Sequence, residues 1–347
     1  MTLLVHALAA TWPPFVLVAG LLLIGHVAAS EGLFGVLGSW CARAPGGDVG
    51  VLIVTLVAVA LVTAVLNLDT SVVFMTPVAL QAAKAEGADE VAFLYGVIFM
   101  SNSASLLLLG SNLTNLLVFA GRGGSGSSFA RQMIVPWVLS VSVTLVVVLA
   151  WRWRALHEHA RAPSGARVAF AAGPGVAGAA FAVVAMLLLA HPALWVLGVG
   201  LAAELYEVVA SRRTSWREAM SVVNPVILSL LFVVAVAVGW FARSTDVTRS
   251  LVSHASVLVT IATSSAAAIV VNNLPAASLF AAHHIAHPFA LLLGLDLGPN
   301  IVVTGALSSL LWIRIARRHG LRPSLITFSI VGTIIALVAM VSAAPLL

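Results

Sequence analysis

Apolar stretches run near residues 13–37, 132–151, 168–190, 193–210, 222–241 and 323–345. Each is close to the ~20 residues that carry a helix across a bilayer, so six plain spans are predicted. Three further regions, 50–86, 91–120 and 252–316, are equally apolar but interrupted by clustered Asn, Ser, Thr, Asp, Gly and Pro, and the last is long enough for two elements. The most hydrophilic link is Arg152 to Arg167, which holds Arg154, His157, Glu158, His159 and Arg161. It predicts two halves, 1–151 and 168–347, joined by a cytoplasmic linker at 152–167. Gly121 to Ser128 reads as a flexible surface connection.

Taking each broken region as a re-entrant hairpin followed by a broken crossing helix puts 13 of the 17 Lys and Arg on one side, leaving Arg122, Arg131, Arg243 and Arg249 opposite. The richer side is then cytoplasmic. Exchanging hairpin and broken helix within each half moves only Lys84. In either order the two hairpins open to opposite sides. The expected fold is therefore an all-α polytopic membrane protein, an inverted repeat with two re-entrant hairpins and two broken transmembrane helices, an arrangement that places a transporter's site near the midplane. Three plain spans precede the second hairpin and one precedes the first, so the first half is expected to lack two scaffold helices.

Composition agrees. Of 347 residues, 61% are apolar and 8% charged, against about 25% charged in a soluble domain, and the mean hydropathy is +1.11. The basic residues sit in short links between apolar runs, which argues for an anionic leaflet and against nucleic acid. A single cysteine, Cys41, excludes an internal disulfide framework or a thiolate metal cluster. No removable signal peptide is read at the N-terminus. No Gly-rich phosphate loop with Lys occurs, which excludes an ATP-driven pump within this chain. No nucleophile, base and orienting group occur at suitable spacing, so an enzyme is not expected.

The interruptions carry the chemistry. Residues 67–77 read Asn67-Leu68-Asp69-Thr70-Ser71 and onward to Pro77. A carboxylate at the centre of a membrane helix costs roughly 2.5 to 3.5 kcal/mol, so Asp69 is expected to work, either as the cap of a helix starting near Thr70 or as an ion-binding group. Ser101-Asn102-Ser103 and Ser111-Asn112-Leu113-Thr114-Asn115 flank an apolar run and are poor helix formers. Backbone that unwinds at this depth must line a cavity or be buried in protein. The alternative is polar glue between helices. Asn272-Asn273 before Pro275, and Asp296 before Gly298-Pro299-Asn300 and Thr304, repeat the theme. Glu204 and Glu207, near Arg212 and Arg213, are expected to snorkel to the surface. His283, His284 and His287 are read as solvated at a hairpin mouth, and the nine tryptophans as an interfacial belt.

Asn67 to Pro77, Gly110 to Val118 and Gly294 to Arg314 (GLDLGPNIVVTGALSSLLWIR) closely resemble the arsenical pump membrane proteins, the arsenite permeases of the ion transporter superfamily. The resemblance covers about 12–345. It implies that Asn67 to Asp69 and Asn272-Asn273 are hairpin tips and that Asn112 to Asn115 and Gly298 to Asn300 are the breaks. It also implies substrate and coupling ion between those four elements, and commonly a homodimer. Where many arsenite permeases have Asn directly before the aspartate, this chain has Leu68.

The function this suggests is export of arsenite or antimonite, as the neutral trihydroxide, across the plasma (cell inner) membrane in exchange for protons, with Asp69 carrying the proton. No cofactor or metal is expected, and a soluble ATPase partner is left open. The alternative keeps the fold and changes the cargo: a cation/proton antiporter or a sodium-coupled carboxylate carrier, the latter disfavoured because an anionic Asp69 would repel its substrate. A non-transporting scaffold is the third reading, and it predicts that Asp69→Asn and Asn112→Ala are silent.

Overall fold

The computed structural model describes residues 2–119, 125–157, 173–245 and 249–347, and the regular elements among them are all helical. The first half runs through α1 (Thr2–Ser30), α2 (Leu33–Ala42), α3 (Gly47–Leu66), α4 (Leu68–Glu86), α5 (Glu90–Ala104), α6 (Leu113–Phe119) and α7 (Gly126–His157). The second runs through α8 (Pro174–Leu188), α9 (Ala193–Tyr206) with a π-helical turn at Glu207–Ser211, and α10 (Trp216–Val223). It continues through α11 (Pro225–Ser244), α12 (Arg249–Ser253), α13 (Val257–Val271), α14 (Asn273–Phe280), α15 (Pro288–Leu297), α16 (Leu307–Arg318) and α17 (Leu325–Ala343).

Among the described residues, six segments are long and apolar enough to cross a membrane: Leu3–Ser30, Gly47–Leu66, Gly126–Leu156, Ala193–Ser211, Trp216–Ser244 and Leu325–Leu346. Five coincide with expected plain spans. The sixth is α3, the first arm of a hairpin, and it replaces the span expected at 168–190, where α8 has 15 residues and 168–172 lie outside the described residues. Residues 121–124 of the Gly/Ser link and 158–167 of the central linker also lie outside them. Residues 152–157, expected as linker, are the end of α7: Arg152 Nε donates to Asp89 at 2.5 Å, and Asp89 is the N-cap of α5, so the pair ties the two helices together.

Both hairpins are present, each turning on one asparagine. Asn67 links α3 to α4 at φ 102°, ψ 165°, and Asn272 links α13 to α14 at φ 77°, ψ 150°. This conformation costs a non-glycine residue of order 1–3 kcal/mol. The side chain offsets the strain by capping the helix it starts, Asn67 Oδ1 accepting from Thr70 N at 3.0 Å and Asn272 Oδ1 from Leu274 N at 3.3 Å. At membrane depth no water would satisfy those N–H groups. Pro275 sits in the first turn of α14, where an N–H has no intrahelical partner and its loss costs nothing.

Both broken helices are present too, α5 giving way to α6 across 105–112 and α15 to α16 across 298–306. The halves interlock: α4 lies along α16, and α14 lies along α6, so the second arm of each hairpin packs on the far half of the other repeat's broken helix. Two buried apolar clusters support them, one including Leu52, Phe93 and Phe99, the other Phe280, Leu291 and Leu295. Helix α1 packs along α8, α9 and α11 beside this centre. Helix α17 crosses so close to the second break that a Cβ at Gly332 would overlap the Asn300 carbonyl.

Three polar assignments change. Glu204 and Glu207 do not reach the surface, both being fully buried. Glu204 bonds His26 of α1 at 2.9 Å and the Thr214 hydroxyl at 2.9 Å, and Glu207 accepts from Ser211, so local partners meet the carboxylates before they reach the surface. Trp312 leaves the expected interfacial belt; it is fully buried and its indole donates to the Leu94 carbonyl at 2.8 Å.

Candidate functional site

A cavity of about 30 Å³ lies where the hairpin tips meet the breaks, lined by Leu68, Asp69, Asn112, Leu113, Thr114, Leu231, Asn272, Asn273, Leu274, Ala306, Leu307 and Ser308. That is room for roughly two waters. Except for Leu231 of α11, the lining residues belong to the starts of α4, α6, α14 and α16 or to the residues just before α6, α14 and α16. Helical segments therefore begin at the cavity from all four elements. None of the lining residues is Lys or Arg. Ala306 gives α16 no side-chain cap, so the first backbone N–H groups of α16 remain donors at the cavity edge.

The expected residues divide by role. Asp69, Asn112, Thr114, Asn272 and Asn273 line the cavity. Because Asn67, not Asp69, caps α4, the Asp69 carboxyl is spared that duty and faces the cavity. Asp296 sits directly behind the wall, with Oδ1 accepting from Thr114 Oγ1 at 2.6 Å and from Asn112 Nδ2 at 3.0 Å. Asn102 and Asn300 pair across the repeats, Nδ2 to Oδ1, at 2.8 Å, and tie one broken helix to the other. Asn272 Nδ2 donates to the Thr304 carbonyl at 3.0 Å, so Thr304 takes part through its backbone while its side chain is exposed.

Four expected residues are brought to this region but serve its scaffold. Ser111 donates to the Ser105 and Leu108 carbonyls, and Asn115 Nδ2 donates to the same carbonyls at 2.8 and 3.1 Å. Together they satisfy backbone left free where α5 ends. Ser103 bonds Thr144 of α7 at 2.7 Å. Thr70 is fully buried with its methyl against Gly25 of α1. Of the lining residues, sequence reading did not assign the apolar Leu68, Leu113, Leu231, Leu274, Ala306 and Leu307 to the site, and it noted Ser308-Ser309 as polar without placing Ser308 there. Ser308 was legible as part of Ser308-Ser309 just past the second break, whereas nothing in α11's uniform apolar run marks Leu231.

A model of the family described as "CitMHS: Citrate transporter" matches residues 2–303. The chain belongs to the citrate transporter family. This member is 30% identical over 143 residues to an uncharacterized transporter of Synechocystis sp., covering 40% of this chain and 23% of that one. It is 26% identical over 147 residues to an uncharacterized transporter of Mycobacterium tuberculosis, covering 42% of this chain and 34% of the relative. These matches thus span well under half the length of either relative. In fold it is similar to the Alcanivorax borkumensis YdaH transporter, described as having an unusual topology, with a TM-score of 0.65, 14% identity, and coverage of 99% of this chain and 86% of that one. The likeness to transporters of this architecture therefore holds, and the protein is a multi-pass membrane protein. These likenesses show the citrate transporter family and do not show the arsenical pump proteins specifically.

Proposed function

We propose that this protein is a secondary transporter carrying a small carboxylate, citrate being the first candidate, across the plasma membrane. One observation carries the reading: α4, α14 and α16, each of at least two turns, start at a cavity that has no basic side chain among its lining residues. A helix start presents the positive end of its dipole, equivalent to roughly half a charge, and the uncapped start of α16 presents free N–H groups as well. Three helix starts offset the objection that Asp69 repels an anion. What charge remains on Asp69 and the substrate is compensated by a proton or cation that enters with it. Asn112, Thr114 and Asn273 supply side-chain donors that orient the carboxylates.

A second reading, export of neutral arsenic trihydroxide, is favoured by the Asp69 carboxyl in the wall. A neutral ligand gains hydrogen bonds from the site but little from its field. Purified protein in liposomes, given radiolabelled citrate or arsenite under an imposed ion gradient, separates the two. Citrate uptake that Asn273→Ala lowers at least about tenfold, as loss of one buried donor to an anion should, supports the carboxylate reading. Movement of arsenite without citrate overturns it.

A further inference from the structure

One buried carboxyl has no task in that account. Asp296 lies in the last turn of α15 and is 1% exposed. Its Oδ1 takes the two donors described above, and its Oδ2 is buried without a hydrogen-bond partner among the described residues. The elements packed on α15 are α5, α6, α13, α14, α17 and the turn Gly298–Asn300. None of them carries Lys, Arg or His, and their only titratable groups are Glu90 and Tyr95, near the start of α5. Tyr95 donates to the Ser324 carbonyl and Glu90 meets Lys84, so neither attends Asp296. An ionised carboxylate at such depth, with one oxygen bare and no cation facing it, is costly. A proton on Oδ2 removes the cost.

The donors decide what that proton does. Asn112 and Thr114 line the cavity and also bond Asp296. Charged, Asp296 holds them by charge-assisted bonds about twice as strong as neutral ones. Protonated, it holds them only as a neutral acceptor, and an anion in the cavity can take them over. We infer that Asp296 is the coupling residue: it accepts a proton when the carboxylate substrate binds, because the two compete for the same amide and hydroxyl. The inference rests on the carboxylate-transporter reading. The proton joins Oδ2 from the side the substrate enters and leaves to the opposite side once the substrate has gone, and no bond between heavy atoms changes.

The full chain in liposomes tests this with citrate as the probe, in two assays: accumulation driven by an imposed pH gradient, and counterflow without a gradient over a range of pH. Wild type should accumulate citrate from the acid side, with counterflow falling as pH rises. Asp296→Asn mimics the protonated form, and should lose gradient-driven accumulation and give a flat counterflow profile. Thr114→Val keeps the carboxyl but removes a donor that favours its charged form, and should move the alkaline fall upward by about one pH unit, a tenfold change in proton affinity. Asp296→Asn that still concentrates citrate on a proton gradient overturns the inference, as does wild type driven by sodium alone. If Asp296→Asn fails to reach the membrane, an unmoved profile in Thr114→Val overturns it instead. Wild type that carries no citrate in either assay brings down the carboxylate reading itself, whereas the other outcomes leave that reading standing.

Discussion

The two hairpins turn on the same residue type in the same strained backbone conformation, but their surroundings differ. The first has arms of 20 and 19 residues, and its tip is enclosed, with Leu66 and Asn67 each 2% exposed. The second has arms of 15 and 8 residues, and beside its tip Val270 is 79% and Val271 48% exposed. Asn272 Nδ2 bonding the Thr304 carbonyl fastens that tip to the neighbouring break. A hairpin whose tip is enclosed is expected to move less freely than one whose tip is open. One whose outer arm is exposed beside the tip is expected to lift more easily there, because fewer contacts oppose it at that end. The second hairpin is thus the element expected to move more readily beside the cavity.

The comparison can be broken first at the seats of the outer arms. Helix α13 lies on α15 at Gly294, where an added methyl would meet the Ser264 hydroxyl and the Ile261 carbonyl; α3 lies on α5 at Gly96, where it would meet only the end of the Leu56 side chain. Gly294→Ala should therefore cost about 1–3 kcal/mol by overpacking against backbone and abolish transport. Gly96→Ala should leave thermal stability nearly unchanged, because Leu56 can turn aside. Equal losses in melting temperature for the two variants would mean that the seats are alike.

Cysteine labelling gives an intermediate effect. Cys41 is fully buried, so the background is silent. Val271→Cys should react with a small water-soluble thiol reagent at least about tenfold faster than Leu66→Cys, the ratio expected if opening the second tip costs about 1.4 kcal/mol less. Citrate should slow the faster reaction. Similar rates at both tips would remove the distinction drawn between the hairpins.

The smallest expected difference is at the asparagines. Glycine relieves the positive φ at either tip, and replacing an Asn cap by Gly costs only a few tenths of a kcal/mol. Asn67→Gly should thus be almost neutral. Asn272→Gly also loses the bond to Thr304, worth about 1 kcal/mol, and should show a lower midpoint in thermal unfolding and faster labelling at Val271→Cys. A larger effect at Asn67 than at Asn272 would contradict the assignment of the second tip as the one that opens.

Much of the architecture was legible because the bilayer makes polar residues conspicuous. Asn67, Asn112, Asn272 and Asn300 stood out within apolar runs, and they do mark the two tips and two breaks. What the chain could not display is direction. Ser103, Ser111 and Asn115 share composition with Asn112 and Thr114, but they point at backbone or at α7, and only the folded course of α5 and α6 decides which group reaches the cavity. The Asp69 ambiguity has the same origin. Asp69 could have capped a helix starting near Thr70, and the turn at Asn67, which starts α4 at Leu68, settles the matter. Glu204 was misread because its partner His26 is 178 residues away in the chain. The arsenical reading rested on motif resemblance and on side chains and carbonyls, and it gave no weight to backbone N–H groups, which leave no mark on composition.

That last omission has a physiological side. Attraction that originates in peptide groups has no titration curve: it cannot be discharged by alkali, acetylated, or exchanged for a neutral residue by one base change. Only unwinding a helix or swinging its end away would weaken it. In the proposed carboxylate carrier, release must then come from movement or from the proton at Asp296, since the field of the helix ends stays constant across the whole pH range a cell meets.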